Sequence, residues 1–179
     1  QPDGLWHAVS FTGSNTARFR ADRGSDKVHR RSLYTFWKRT SPPPQMSIMD
    51  APSREACVMR RERTNTPLQA LLLMNDSQYM EAARHFAERI IREGPTEVEP
   101  RLAWAFEQAT VRSAETDELE TLWRAYQSFR QIYANDPDAA KAVIEIGEVP
   151  PDGEIPPAEL ASWTMVANTI LNLDVVVTK

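Results

Sequence analysis

Apolar residues recur at three- and four-residue spacing through the second half of this chain and follow no such period in its opening quarter. The clearest signal lies at Arg60-Arg61-Glu62-Arg63-Thr64-Asn65-Thr66-Pro67-Leu68-Gln69-Ala70-Leu71-Leu72-Leu73-Met74-Asn75-Asp76. Thr66 is a good N-cap and Pro67 a good first helical residue. Leu68 and Leu71 to Met74 cover most of the circumference, which predicts a helix over 66–75 buried on more than one side. Asp76 starts a second helix to Glu93, with Tyr79, Ala82, Ala83, Phe86, Ala87, Ile90 and Ile91 inward, stopped by Gly94-Pro95. A third spans 97–110, with Leu102, Ala103, Phe106 and Ala109 inward. Ser113 is the expected cap of a fourth running to 134, striped by Leu119, Leu122, Trp123, Tyr126, Phe129 and Tyr133. Asp136-Pro137 begins another, with Ala139 to Ile146 helical and Gly147 closing it. Residues 148–157 read as a loop and 158–172 as a last helix, with Leu160, Trp163, Val166, Ala167, Ile170 and Leu171 inward. Val175-Val176-Val177, in the 174–179 tail, suggests a strand.

The first part is different. Leu5 to Phe11 alternates briefly, as an extended segment would, and Gly13-Ser14-Asn15 breaks it. Residues 28–40 read as a short helix carrying Leu33, Phe36 and Trp37, with a strand through Tyr34-Thr35-Phe36-Trp37 as the alternative. Pro42-Pro43-Pro44 ends that element in a polyproline segment. Met46, Ile48 and Met49 then suggest a loop packed on the core, and Ser53 or Asp50 a cap for a turn at 54–57. The expected fold is all-α in the main: an irregular helical bundle (66–179) with an extended, Pro-rich arm (1–65) packed on it, together one domain. No 34-residue repeat supports a tetratricopeptide array.

With 179 residues, 41% hydrophobic and 26% charged, the chain has the composition of a globular domain. Its longest pure apolar run, Ala70 to Met74, is too short for a membrane span. No signal peptide is evident, and an opening Gln1-Pro2-Asp3-Gly4 without Met reads as a cut point in a longer protein. Charge is uneven: residues 1–75 carry 12 Lys+Arg against 6 Asp+Glu, a balance of +6, and residues 76–179 carry 9 against 19, a balance of -10. Docking of the basic part on the acidic part is preferred to nucleic-acid binding, because a phosphate-binding domain is usually basic overall and this chain carries -4.

Candidate chemistry is sparse. Cys57, the single cysteine, excludes an internal disulfide and a CxxC site. His85, with Glu81 and Glu88 one turn away on either side, is half a metal site at most, and a solvated helical face accounts for it better. Asp117, Glu118 and Glu120 suit a helix start. No catalytic residue is assigned. The strongest polar cluster is Arg54, Arg60, Arg61 and Arg63 before Thr66. It has two readings: an anion site built of guanidinium forks and a helix N-terminus, or, preferred, internal ion pairs pinning the Pro-rich loop. Trp6, Phe11, Tyr34, Phe36 and Trp37 are either a sugar-stacking platform or, preferred, core.

Several runs together resemble a planctomycete-specific domain of unknown function. They are Arg31-Ser32-Leu33-Tyr34-Thr35-Phe36-Trp37-Lys38-Arg39-Thr40, Pro42-Pro43-Pro44, Asp50-Ala51-Pro52-Ser53-Arg54-Glu55-Ala56-Cys57 and Arg61-Glu62-Arg63-Thr64-Asn65-Thr66-Pro67-Leu68-Gln69-Ala70-Leu71. Trp163 to Asn168 and Leu171-Asn172-Leu173-Asp174 resemble that family's ending, except that Val175 stands where an acid usually follows. The resemblance implies the C-terminal part of an exported protein, often one with an N-terminal cytochrome c domain, and hence an extracytoplasmic location. Any haem would sit in that separate domain; no cofactor or metal is expected in this chain. The expected role is a non-catalytic interaction or structural module. Its partners would be other domains of the parent chain and an anionic or glycan ligand, without nucleic acid. The alternative is a share in a multidomain extracytoplasmic enzyme or cytochrome-linked assembly acting on polysaccharide or another extracellular substrate.

Overall fold

The computed structural model describes residues 7, 13, 22, 24–30, 32–38, 42–60, 62 and 64–177. The described residues are mainly helical and include no strand, as the periodicity predicts. The chain divides into two compact units, Gln1–Thr64 and Asn65–Lys179. The division falls where the charge changes sign, because residues 65–75 carry no charged side chain.

In the first unit the helix expected over 28–40 is replaced by two shorter pieces, α1 (Ser25–Val28) and a 3₁₀ turn at Ser32–Tyr34. Neighbouring His29 and Arg30 and the β-branched and aromatic run after Leu33 cannot repay the cost of nucleating a longer helix. Tyr34 and Phe36 are exposed and Trp37 is half-buried, so the preferred core role fails for the first two; Trp6 and Phe11 lie outside the described residues. The expected loop after the prolines contains a helix, α2 (Pro44–Ile48), because Pro44 takes the first helical position and Pro43 the extended cap.

In the second unit, α3 (Pro67–Asn75) begins at the expected cap, which is a full capping box: Thr66 Oγ1 accepts from the Gln69 N–H, and Gln69 Oε1 accepts from the Thr66 N–H. α4 (Ser77–Glu93) follows, with the Asp76 carboxylate accepting from the Gln78 N–H. Its buried stripe is rotated from the predicted one: Ala83, Ala87 and Ile90 are inside with Met80, Glu81 and Arg84, and Ala82 is exposed. α5 (Val98–Thr110) ends at Val111, whose φ of 61° is left-handed. α6 (Thr116–Asn135) is capped by Glu115 and not Ser113, since Glu115 and Glu118 close a reciprocal box. α7 (Pro137–Ile144) starts at Asp136 as predicted.

α8 (Pro157–Leu171) is the hub. Leu160, Trp163, Val166, Ala167 and Ile170 are fully buried, and it packs against α4, α6 and α7. Tyr126 of α6 lies 4.8 Å from the Trp163 ring. The tail is a helical turn, α9 (Asp174–Val177), in place of the expected strand. The Val176 and Val177 N–H groups donate to the Leu173 carbonyl, so the valines close a turn instead of seeking a partner strand.

Candidate functional site

The leucine-rich helix α3 is inverted relative to expectation. Its one fully buried residue is Gln69, while Leu68, Leu71 and Met74 are 54%, 58% and 49% exposed; Leu72 and Leu73 are half-buried. Burial on several sides, with Leu71 and Leu72 central, is therefore not what the structure shows. The cause is local: Gln69 turns inward to complete the capping box, and side-chain amides of α8 take carbonyls of α3. Asn168 Nδ2 donates to the Leu73 carbonyl (3.1 Å) and lies 3.3 Å from the Met80 sulfur. Asn172 Nδ2 donates to the Ala70 carbonyl (3.3 Å), and Asn65 Nδ2 donates to Asp174 Oδ1 (2.5 Å). Two motif segments about a hundred residues apart, 65–70 and 168–174, thus meet. These amides satisfy α3 carbonyls on its inner side and leave the apolar stripe outward.

The predicted arginine cluster resolves only in part. Arg54 and Arg60 sit on an exposed loop, residues 52–60, in the first unit; Arg61 and Arg63 lie outside the described residues. The loop's base is closed by Asp50, whose carboxylate accepts from the Thr64 N–H (2.8 Å) and from the Thr64 hydroxyl (2.8 and 2.9 Å). Asp50 does not cap the 54–57 turn; Ser53 Oγ does, accepting from the Glu55 N–H. The Arg54 guanidinium lies 4.7 Å from the Trp37 ring centre, a cation–π contact made at a left-handed φ of 64°. Thr66, in the second unit, has its hydroxyl engaged in the capping box.

A polar network that periodicity did not disclose holds residues 147–152 on α4. Glu81, 1% exposed, accepts from the Glu148 and Val149 N–H groups (3.1 and 2.9 Å). Fully buried Arg84 donates to the Val149 and Pro150 carbonyls (2.6 and 3.3 Å) and to Glu88 (3.0 Å). Glu88 also accepts from the Asp152 N–H, and Arg92 pairs with Asp152. His85 Nδ1 lies 2.9 Å from Glu88. His85 itself stays 41% exposed, while Glu81 and Arg84 beside it form a buried interface and serve loop backbone that would otherwise lack partners. Gly147, at φ +117°, lets that backbone approach, since a Cβ there would stand 2.6–2.8 Å from Glu81 atoms. Among the described residues no group of three or more His, Cys, Asp or Glu is arranged to hold a metal.

Two shifted groups have plain causes. A forked pair of hydrogen bonds from Arg112 (2.8 and 2.6 Å), with the Glu115 N–H, lowers the Glu118 carboxyl to about 2. Burial, then the neighbouring Asp76 carboxylate, raises the Tyr79 phenol. Both belong to helix starts.

No curated protein matches the chain, and no solved structure matches it. A family model does match, over residues 6–126; the match takes in the arginine loop, α3 and α4, and stops short of α8. With 121 of 179 residues matched, the chain belongs to the family described as PSD1, protein of unknown function (DUF1553).

Proposed function

We propose that this chain is a non-catalytic interaction module of an exported planctomycete protein, and that it docks other domains of the same polypeptide through the outward stripe of α3. The observation that carries the reading is the inversion of that helix. Three large apolar side chains at three-residue spacing face out from a helix without a single charge, while its glutamine is buried. A stripe of this kind is the anchor pattern of a helix laid into an apolar groove. Asn168, Asn172 and Asn65 support the same reading, because they fix the helix from behind and present the stripe pre-ordered. In this proposal the haem of a cytochrome c domain belongs to the parent protein, outside this chain, and the module acts outside the cytoplasm.

The test is titration of this chain against the remaining domains of the parent, produced separately. Leu71→Glu and Met74→Glu are expected to abolish binding and leave the melting temperature within a few degrees. Binding unchanged by both variants would refute the docking role.

A further inference from the structure

We infer that the loop over residues 52–60 is a cleavage site for an arginine-specific endoprotease of the trypsin class, cut on the carboxyl side of Arg60. Residues 49–66 join α2 to α3 and include no helix or strand among the described residues, whereas most connections run only about 4–6 residues. Every residue from Pro52 to Arg60 is exposed. Among the described residues this stretch makes one hydrogen bond, from the Glu55 N–H to Ser53 Oγ, and one ring contact, Arg54 on Trp37. The backbone from Ala56 to Arg60 is therefore held by no hydrogen bond within the described chain. Exposed loops of this kind are where proteolytic nicking concentrates.

An endoprotease holds its substrate as an extended strand through main-chain hydrogen bonds and reads the residue before the scissile bond in a side-chain pocket. Arg60 meets both needs: its backbone has no internal bonds to break and its side chain is exposed. Arg54 meets neither, since it stacks on Trp37 and its φ of 64° is left-handed, the wrong backbone for an extended strand. Side-chain exposure alone would favour Arg92 and Arg124, at 59% and 72%, but both lie inside helices, α4 and α6, that must open before they are cut. The reaction is hydrolysis: water adds across the peptide bond after Arg60, leaving a carboxylate on Arg60 and an amino group on residue 61. The cut separates α1 and α2 from α3 and all that follows, close to the division between the two compact units. It leaves the start of α3 whole, because Thr66 and Gln69 of the capping box lie beyond it.

Limited digestion of the full chain with trypsin, read by intact-mass spectrometry, tests this. A fragment ending at Arg60 is expected before any ending at Arg54, and about a hundredfold faster than cuts after Arg92 or Arg124, which wait on local opening of a helix. Deleting Ala56 to Met59 draws Arg60 back toward the stacked Arg54. That deletion should slow the cut by about tenfold or more, because too few extended residues then precede Arg60, and should leave the helical circular dichroism unchanged. In protein isolated from cells that make it from its own gene, amino-terminal sequencing should find chains beginning at residue 61. Four outcomes would overturn the inference: a first loop cut after Arg54, cuts after Arg92 or Arg124 as fast as the cut after Arg60, a deletion without effect on the rate, or only uncut chains in the producing cells.

Discussion

Substituting Gly147 by alanine tests the buried network at its tightest point. The residue sits at φ +117°, which costs a residue with a Cβ about 1–3 kcal/mol. The new Cβ would fall 2.6 Å from the Glu81 carboxyl carbon and 2.8 Å from its Cβ. Glu81 must then withdraw from the Glu148 and Val149 N–H groups. Each such bond to a charged acceptor is worth about 1.5–3 kcal/mol, and the withdrawn carboxylate remains beside buried Arg84. Part of this is recovered as the loop relaxes, so the expected destabilisation is about 3–5 kcal/mol. Urea unfolding followed by far-UV circular dichroism measures it, with Gly153→Ala as the control, because a Cβ there meets nothing within 4 Å. A Gly147→Ala loss below about 1 kcal/mol, or one matched by the control, would show that residues 147–152 are not held as described.

The other predictions concern single sites. Val111→Gly should stabilise by about 0.5–1 kcal/mol in the same assay, since an 84% exposed β-branched residue at φ 61° gives up its strain for a modest entropy cost. Leu71→Ala should cost under about 1 kcal/mol, well below the 2–5 kcal/mol of a core leucine. Thr66→Ala should cost about 1 kcal/mol through the lost cap. The Glu118 carboxyl is lowered when folded, so its stabilisation is complete above about 4.5 and fades as pH falls through about 2. Between those values the wild type should therefore lose slightly more stability than Glu118→Gln, a small difference because the Arg112–Glu118 pair is partly solvated.

What the sequence disclosed follows from what periodicity records. The core of α8 was legible because Leu160, Trp163, Val166, Ala167 and Ile170 repeat at helical spacing and are all buried. The caps at Thr66, Asp76 and Asp136 were legible because a cap needs one side chain at one position. Hydrophobicity misled where polar residues fill the interior. In α3 a buried glutamine turns the leucines out, and in α4 a buried Glu81–Arg84 pair rotates the inner face away from Ala82. Gln69 is marked only by its position three residues after Thr66, as a capping box requires; nothing local marks the Glu81–Arg84 pair, since its partners are backbone groups more than sixty residues away. The pairing of Asn65 with Asp174 was foreshadowed only by both lying in runs that resemble one family. Of the proposed anion site, Arg54 is placed by the Trp37 ring and Thr66 by its own helix, arrangements of tertiary origin that spacing does not encode.

The outward stripe of α3 is tested most directly by hydroxyl-radical labelling of Met74 and Leu71, in this chain alone and in the complete parent polypeptide. The account predicts ready modification of both in the isolated chain, where they are 49% and 58% exposed, and strong protection in the parent. Equal labelling in the two would contradict it.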